Sequence, residues 1–196
     1  MPEDSSRILR HSASRRGSAA PATSSVVAMT GFTVRRARTG DVPEMRAIMQ
    51  PLVERRILLG KELVTLYEAI PEFRVATDDE GAVVGFGALH VMWADLGEVR
   101  TLAVRDDWRG RGVGHALLAA LEADAREFGL SRLFCLTFEV DFFARHGFED
   151  MGAATVAPEV YAELVRSSDE GIAEFLDLAR VKPNTLGNTR MIKHLE

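Results

Sequence analysis

A glycine- and arginine-rich segment, Arg109-Gly-Arg-Gly-Val-Gly114, combines residue types that could bind a diphosphate. It follows a predicted strand, Glu98 to Val104, and leads directly into a predicted long helix, Gly112 to Phe128. At the N-terminus of a helix, unpaired backbone N–H groups and the positive end of the helix dipole attract anions. Because glycine has no side chain, the backbone can approach the anion closely. Arg109 and Arg111 add charge-assisted hydrogen bonds. The segment therefore predicts a site for a ligand that carries a pyrophosphate.

Two common nucleotide-binding motifs do not fit this segment. The dinucleotide-binding pattern G-x-G-x-x-G, started at Gly112, needs a third glycine at position 117, where the chain has Leu117. The Gly-Lys-Ser/Thr sequence of a P-loop is also missing from the segment. The predicted ligand therefore belongs to another class of pyrophosphate compound.

The elements around this segment are predicted from apolar spacing and from turn residues. Asp41 and Pro43 are typical of a helix start, and Pro51 is expected to strain the helix that follows. The order β-α-α-β-β-β-α-β-α-β predicts an α/β or α+β domain with a mixed sheet. The other predicted elements are strand Phe32–Arg36, helix Asp41–Leu59, helix Lys61–Ile70, strands Phe73–Thr77 and Ala82–Trp93, strand Ser131–Phe138, helix Asp141–His146 and strand Arg190–Leu195.

The composition favours one globular domain and argues against several partners. A chain of 196 residues, 46% hydrophobic, can bury one sizeable core. The formal net charge of −5 offers no general positive field for nucleic acid. The single cysteine excludes an internal disulfide, and the five histidines show no metal-ligand spacing, so no metal is expected. Because no apolar run approaches the roughly 20 residues of a membrane span, we expect a cytoplasmic protein without membrane or nucleic-acid partners.

The first 30 residues differ from the rest of the chain. They contain seven serines, four arginines and no aromatic residue, too little apolar surface to offset the cost of ordering. We therefore predict a disordered tail over residues 1–30 and a single domain over residues 31–196. A basic, Ser-rich leader also resembles an organelle transit peptide, whereas Met29, just before the first strand, indicates an over-extended start site.

The segment Arg109-Gly-Arg-Gly-Val-Gly114 resembles the signature Q/R-x-x-G-x-G/A of the GNAT acyl-CoA-dependent N-acetyltransferases. The resemblance covers Phe32 to Phe148, and Ala144-Arg-His-Gly-Phe148 is similar to the family's second sequence block. It implies a GNAT-type domain, in which a central mixed, mostly antiparallel sheet splays between two parallel strands and is flanked by helices. It also implies acetyl-CoA as co-substrate; the alternative is a glycine-rich loop that serves only strand–helix packing. The implied acetyl-CoA-binding residues are Leu102, Ala103, Val104, Arg109, Gly110, Arg111, Gly112, Val113, Gly114 and His115.

The resemblance also implies a general base. Acetyl transfer needs a neutral amine, and the α-amino group of a free amino acid is mostly protonated at neutral pH. Glu98 stands four residues before Leu102, where many family members carry a base glutamate. Two alternatives remain: Glu98 only forms an ion pair with Arg100, which projects from the same face of the strand, or Glu139, after the next strand, is the base.

The sequence departs from the family at the general acid. Many members carry a tyrosine where this chain has Phe143, and a phenyl ring cannot protonate the leaving thiolate. A thiolate is a good leaving group, with an ordinary thiol pKa of roughly 8.5, so water or the surroundings of Cys135 could suffice. Cys135 itself lies in an apolar strand and is interpreted as a packing residue rather than a nucleophile.

Further segments resemble the acetyltransferase domain of bacterial N-acetylglutamate synthases in their short, stand-alone form. They include Gly87-Ala-Leu-His90, Leu133-Phe-Cys-Leu-Thr137 and Gly187-Asn-Thr-Arg-Met191. This resemblance implies L-glutamate as acceptor, with Lys61 and Thr189 in its pocket; Arg100, on the same side as Glu98, is a further candidate. The alternatives are a GNAT enzyme acting on protein lysines, N-termini or an antibiotic amine, and a non-catalytic acyl-CoA sensor. A homodimer is left open.

Overall fold

The computed structural model describes residues 31–58, 60–152, 156–181 and 187–196. The predicted tail at residues 1–30 lies outside the described residues. No described helix is long and apolar enough to cross a membrane.

Seven strands form one mixed sheet in the order β1-β2-β3-β4-β5-β7-β6. Their bounds are β1 Phe32–Arg36, β2 Phe73–Asp78, β3 Val83–Trp93, β4 Leu96–Val104, β5 Arg132–Thr137, β6 Glu149–Asp150 and β7 Thr189–His194. Every pairing is antiparallel except that between β4 and β5, which are parallel. The predicted sheet, mostly antiparallel with one parallel pair at its centre, is confirmed.

Helices cover both faces of the sheet. Their bounds are α1 Val42–Glu54, α2 Leu63–Glu68, α3 Val113–Glu127, α4 Val140–Ala144, α5 Pro158–Leu164 and α6 Glu170–Phe175. The apolar stripe of α3 packs with Leu89 of β3 and Leu133 of β5, while α1 and α2 pack against β2 and β3 through Met45 and Leu66. Phe175 of α6 packs in a third cluster with Phe134 of β5, their rings meeting edge to face. The helix α6 therefore lies over the middle of the sheet, near the parallel pair.

Two predicted details of the first helices are wrong. The helix predicted to reach Leu59 ends at Glu54, because the chain enters the left-handed region at Arg56, with φ 57°. Pro51 lies inside α1 without ending it. Asp41 does occupy the N-cap position of α1, but its carboxylate makes no capping bond there; it accepts hydrogen bonds from Arg35 and from the backbone N–H of Arg38. The short α2 covers less than the predicted Lys61–Ile70.

Candidate active site

A groove opens where the two parallel strands separate. The pairing of β4 with β5 ends at Glu98 opposite Phe134, and beyond this point the strands diverge. The space between them has a volume of about 390 Å³, within the usual range for small-molecule sites. Val99 and Thr101 of β4 line one wall, and Leu136 and Thr137 of β5 line the other. Glu98 thus marks the point where the two strands separate, but its side chain does not line the groove.

The wall formed by β4 has a kink and a free backbone edge. Thr101 has φ 56°, a left-handed conformation that is uncommon outside glycine, and the register with β3 shifts at this point. Beyond the kink, Leu102, Ala103 and Val104 line the groove. Their edge towards β5 has no strand partner among the described residues. Unpaired N–H and C=O groups along a strand edge suit an extended, amide-bearing ligand.

The far end of the groove is the N-terminus of α3. Gly110 and Gly112 have φ 76° and 83°, values that disfavour any residue with a side chain, and Gly112 is the N-cap of α3. The following residues place their unpaired N–H groups at the positive end of a 15-residue helix. Nine of the ten residues predicted to bind acetyl-CoA line this groove. Those at this end are Arg109, Gly110, Gly112, Val113, Gly114 and His115.

Arginine and histidine side chains surround the rim of this end. Arg109 lies 3.3 Å from the carboxylate of Glu139, which also lines the groove. Arg111, the one predicted acetyl-CoA residue outside the groove lining, places its guanidinium 4.8 Å from the ring centre of Trp108. His115 Nδ1 is 2.5 Å from Nε2 of His146. Arg109 is half exposed, so its charge is available to an anion without a large desolvation cost.

Glu98 is buried in a cluster of charged side chains on one face of the sheet. Only 7% of Glu98 is exposed. Nη2 of Arg100 lies 2.7 Å from Glu98 Oε2, and the same guanidinium donates two hydrogen bonds to the carboxylate of Asp169, at 3.0 and 3.2 Å. His90, opposite Glu98 on β3, lies 2.7 Å from Glu72 and 3.8 Å from Asp169. The predicted ion pair of Glu98 with Arg100 is confirmed, within a larger cluster.

Burial and the neighbouring charges shift the pKa of Glu98 in opposite directions. Burial raises the pKa of Glu98 above its usual range, and the charge of Asp169 adds to that rise. Arg100, His90 and Lys61 act in the opposite direction. A carboxylate with a raised pKa is a stronger base than an exposed glutamate, which is the property that amine deprotonation needs.

Gly171, in the first turn of α6, closes over Glu98. A methyl group placed on Gly171 would overlap the Glu98 carboxylate, which would have to move within its buried, ion-paired cluster. We expect Gly171→Ala to destabilise the protein by about 1–3 kcal/mol, although alanine is normally the better helix former. Gly40→Ala is the control, because a methyl group there meets no atom within 4 Å. Urea unfolding gives the free energy of unfolding of both variants. A loss of stability in Gly171→Ala no larger than that in Gly40→Ala would contradict the close contact.

The remaining candidates lie at various distances from the groove. Lys61 is half-buried and close enough to Glu98 to lower its pKa. Thr189 pairs with Thr137 across β7 and β5, and borders a small polar depression together with Arg190. Lys61, Arg100 and Thr189 do not line the groove. Their binding of an acceptor remains a prediction.

Cys135 is buried, as expected for a packing residue, and Phe143 is buried as well. Burial raises the pKa of the Cys135 thiol, which disfavours the thiolate that a nucleophile needs. The ring of Phe143 packs edge to face against Phe142 and Phe148, although it also borders the groove. It offers no proton to a leaving group.

Sequence reasoning missed several residues of the groove. Ile57 and Leu58, from the segment after α1, and Trp108 all line it, as do Phe138 and Phe142 beyond β5. The distance in sequence between these segments, and the ordinary apolar types of the residues, left no signal of a shared site. Asp169 and Gly171 were missed as well. Asp169 stands at the N-cap of α6 and accepts a hydrogen bond from the N–H of Ile172, a helix-start pattern that the sequence contained.

Comparisons with known proteins agree with this geometry. Residues 45–152 match the model of the Acetyltransferase (GNAT) family. An amino-acid acetyltransferase of Mycobacterium tuberculosis is 54% identical over 161 residues, which cover 81% of this chain and 92% of that protein. An amino-acid acetyltransferase of Neisseria meningitidis is 38% identical over 119 residues, 60% of this chain but only 27% of that protein.

Solved structures show the same likeness. A M. tuberculosis crystal structure in complex with CoA and NLQ has a TM-score of 0.80 at 53% identity, and covers 84% of this chain and 99% of that chain. N-acetylglutamate synthase from Neisseria gonorrhoeae, complexed with coenzyme A and N-acetyl-glutamate, has a TM-score of 0.65 at 29% identity, over 84% of this chain and 35% of that chain. The family match spans more than half of the chain, and the predicted fold is the one observed. The chain belongs to the GNAT family of acetyltransferases.

Proposed function

We propose that this protein is an acetyl-CoA-dependent amino-acid N-acetyltransferase and that its acceptor is the α-amine of L-glutamate, as in the first step of arginine biosynthesis. The observation that carries the proposal is the groove itself: it extends from the N-terminus of α3, which suits an anion, towards the point where β4 and β5 separate, and the Glu98 carboxylate is buried at that point. The relatives named as amino-acid acetyltransferases support a free amino acid as acceptor. The N-acetylglutamate synthase neighbour supports glutamate.

The two ends of the groove suit the two parts of acetyl-CoA. The N–H groups after Gly112 and the charge of Arg109 would hold the pyrophosphate. The free edge of residues 102–104 would pair with the amides of the pantetheine arm, as an added strand does. The thioester end is then directed towards the point where β4 and β5 separate, at which Glu98 lies.

The chain's contribution to the chemistry is proton transfer and positioning. Glu98 takes a proton from the ammonium group of the amino acid, directly or through one water, and leaves the nitrogen lone pair free. The amine nitrogen then forms a bond to the acetyl carbon as the carbon–sulfur bond breaks and CoA leaves as a thiolate. The nitrogen loses its second proton to solvent, which gives the neutral amide. Because Phe143 has no proton to give, the thiolate takes its proton from solvent. A thiol pKa of roughly 8.5 makes this uncatalysed protonation adequate.

Recognition of glutamate requires groups that bind two carboxylates. Lys61 and Arg100 supply positive charge near Glu98. Thr189 supplies a hydroxyl at the first residue of β7. The guanidinium of Arg100 is already bonded to Asp169, so a substrate carboxylate at this point would have to share or replace that partner. Burying two carboxylates without such donors would cost several kcal/mol.

A thiol-release assay with acetyl-CoA and each of the twenty amino acids tests this function. We expect thiol release with L-glutamate at the highest kcat/KM, and much lower values for aspartate, whose chain is one methylene shorter. A higher kcat/KM with glutamine than with glutamate would show that the acceptor carries an amide side chain and would contradict glutamate as the substrate. Binding of acetyl-CoA without thiol release from any amino acid would contradict the enzyme function and favour an acyl-CoA sensor.

A further inference from the structure

Asp169 competes with Glu98 for a single guanidinium. Arg100 donates from Nη1 and Nη2 to the two carboxylate oxygens of Asp169, a paired geometry that aligns the plane of the guanidinium with Asp169. Nη2 also approaches Glu98 Oε2 to 2.7 Å, but no N–H of the described residues is aligned on that oxygen. The contact with Glu98 is thus an ion pair without a directed hydrogen bond.

This arrangement leaves two buried polar atoms without hydrogen-bond partners among the described residues, Glu98 Oε2 and Arg100 Nε. Two aligned hydrogen bonds from Arg100 to Glu98 would satisfy both carboxylate oxygens, and such a pairing is the usual one for arginine and a carboxylate. Here Asp169 takes that pairing instead. It is held in place by its own capping bond from Ile172, at 3.0 Å, and by the contact of Arg180 with its backbone carbonyl, at 3.4 Å.

From this geometry we infer that Asp169 is a positioning residue for the reaction: by holding Arg100 it prevents a full salt bridge to Glu98 and so keeps Glu98 basic. The inference rests on the proposed role of Glu98 as the base. A glutamate that accepts two hydrogen bonds from arginine is a weak base, whereas one with a free lone pair can accept the proton of a substrate amine. Asp169 therefore acts through Arg100 and need not touch the substrate.

The pH dependence of kcat/KM reports this effect. Glu98 must be deprotonated to act, so the acidic limb of the profile has its midpoint at the pKa of Glu98 in the free enzyme. Five groups face Glu98: Arg100 on β4, His90 on β3, Asp169 before α6, Lys61 before α2 and Cys135 on β5. Removal of the charge of Asp169 takes away a negative neighbour and frees Arg100, and both changes lower the pKa of Glu98.

Asp169→Asn is the variant that tests the inference, because asparagine still caps α6 but carries no charge. We expect the midpoint of the acidic limb to move down by about one pH unit or more, and the plateau of kcat/KM to fall about three- to tenfold because the base is weaker. Asp169→Ser, which also caps but cannot bridge to Arg100, should show the same shift. Asp169→Glu, which restores the charge, should bring the midpoint back towards that of the unmodified protein.

The matched control is Asp41→Asn. Asp41 also accepts two hydrogen bonds from an arginine, Arg35, and one from a backbone N–H, but it lies before α1 and makes no contact with the Glu98 cluster. The acidic limb of kcat/KM in Asp41→Asn should keep the midpoint of the unmodified protein. His90→Gln tests the imidazole opposite Glu98: the acidic limb should persist, because Glu98 and not His90 produces it.

Two results separate this inference from the proposed base. If Glu98→Gln abolishes the acidic limb but Asp169→Asn keeps the original midpoint, Asp169 serves only the structure of α6 and the inference is wrong, whatever happens to the melting temperature. If Glu98→Gln keeps the limb, Glu98 is not the base, and the proposed mechanism fails first. Rates are measured well below the melting temperature of each variant, so that unfolding does not enter the profile.

Discussion

Glu98→Gln is expected to lower turnover about 100- to 10,000-fold while acetyl-CoA binding stays nearly unchanged. Glutamine keeps the shape of the side chain, and Arg100 retains its hydrogen bonds to Asp169, so the fold should persist. The residual rate should rise with pH, because bulk solvent then supplies the neutral amine that the variant no longer produces. Turnover and acetyl-CoA binding are measured from neutral to alkaline pH.

The control for this prediction is Glu139→Gln. Glu139 is the carboxylate that lines the groove, but it is exposed and pairs with Arg109 at the predicted pyrophosphate end. Its loss should change the rate only slightly. If Glu98→Gln instead lowers thermal stability, with a modest rate effect and an unshifted pH profile, Glu98 is only part of an ion pair. Wild-type turnover in Glu98→Gln would assign the base to Glu139 or to a water held by backbone carbonyls.

Gly112→Glu is expected to raise the KM for acetyl-CoA about 10- to 100-fold. The variant places a negative charge and a side chain at the N-terminus of α3, where the diphosphate would bind, and it forces a non-glycine residue to φ 83°. The kcat at saturating acetyl-CoA should fall much less, because the groove near Glu98 is unaltered. Initial rates across acetyl-CoA concentrations give both constants.

Gly129→Glu is the matched control for strain and charge. Gly129 follows the C-terminal end of the same helix at φ 78°, with open space around it. It should show a comparable loss of thermal stability from the backbone conformation, with the KM for acetyl-CoA unchanged. An unchanged KM in Gly112→Glu, or an equal rise in both variants, would contradict the placement of the pyrophosphate.

Local sequence signals predicted much of the fold. The apolar stripe of α3 and the glycine at position 129 placed that helix to within one residue at each end. The hairpin of β2 and β3 was equally clear, because β-branched and apolar residues flank a turn rich in Asp and Gly. The end of α1 was not predicted, since no glycine marks it and the chain turns at Arg56. The short α5 and α6 have too few turns to show a helical period.

Only those parts of the candidate site that are local in the sequence could be predicted, and the reason is physical. The anion loop is a local feature, since strand, glycines and helix are contiguous in sequence, and the structure brings them together as expected. The pairing of Glu98 with Arg100 is also local, because alternate residues of a strand share a face. Asp169 and Gly171 reach Glu98 across about seventy residues, and only the packing of α6 on the sheet brings them there. The spacing of residues along the sequence does not predict such a contact.

The proposed reaction is the transfer of an acetyl group from acetyl-CoA to the α-amine of L-glutamate. Mass spectrometry of a reaction with deuterium-labelled acetyl-CoA and L-glutamate tests it most directly, with free CoA thiol measured in the same sample. We expect labelled N-acetylglutamate, with the labelled acetyl group bonded to the α-nitrogen, in an amount equal to the CoA released. Labelled acetyl groups on protein lysines instead, or bound acetyl-CoA with no acetylated amino acid, would contradict it.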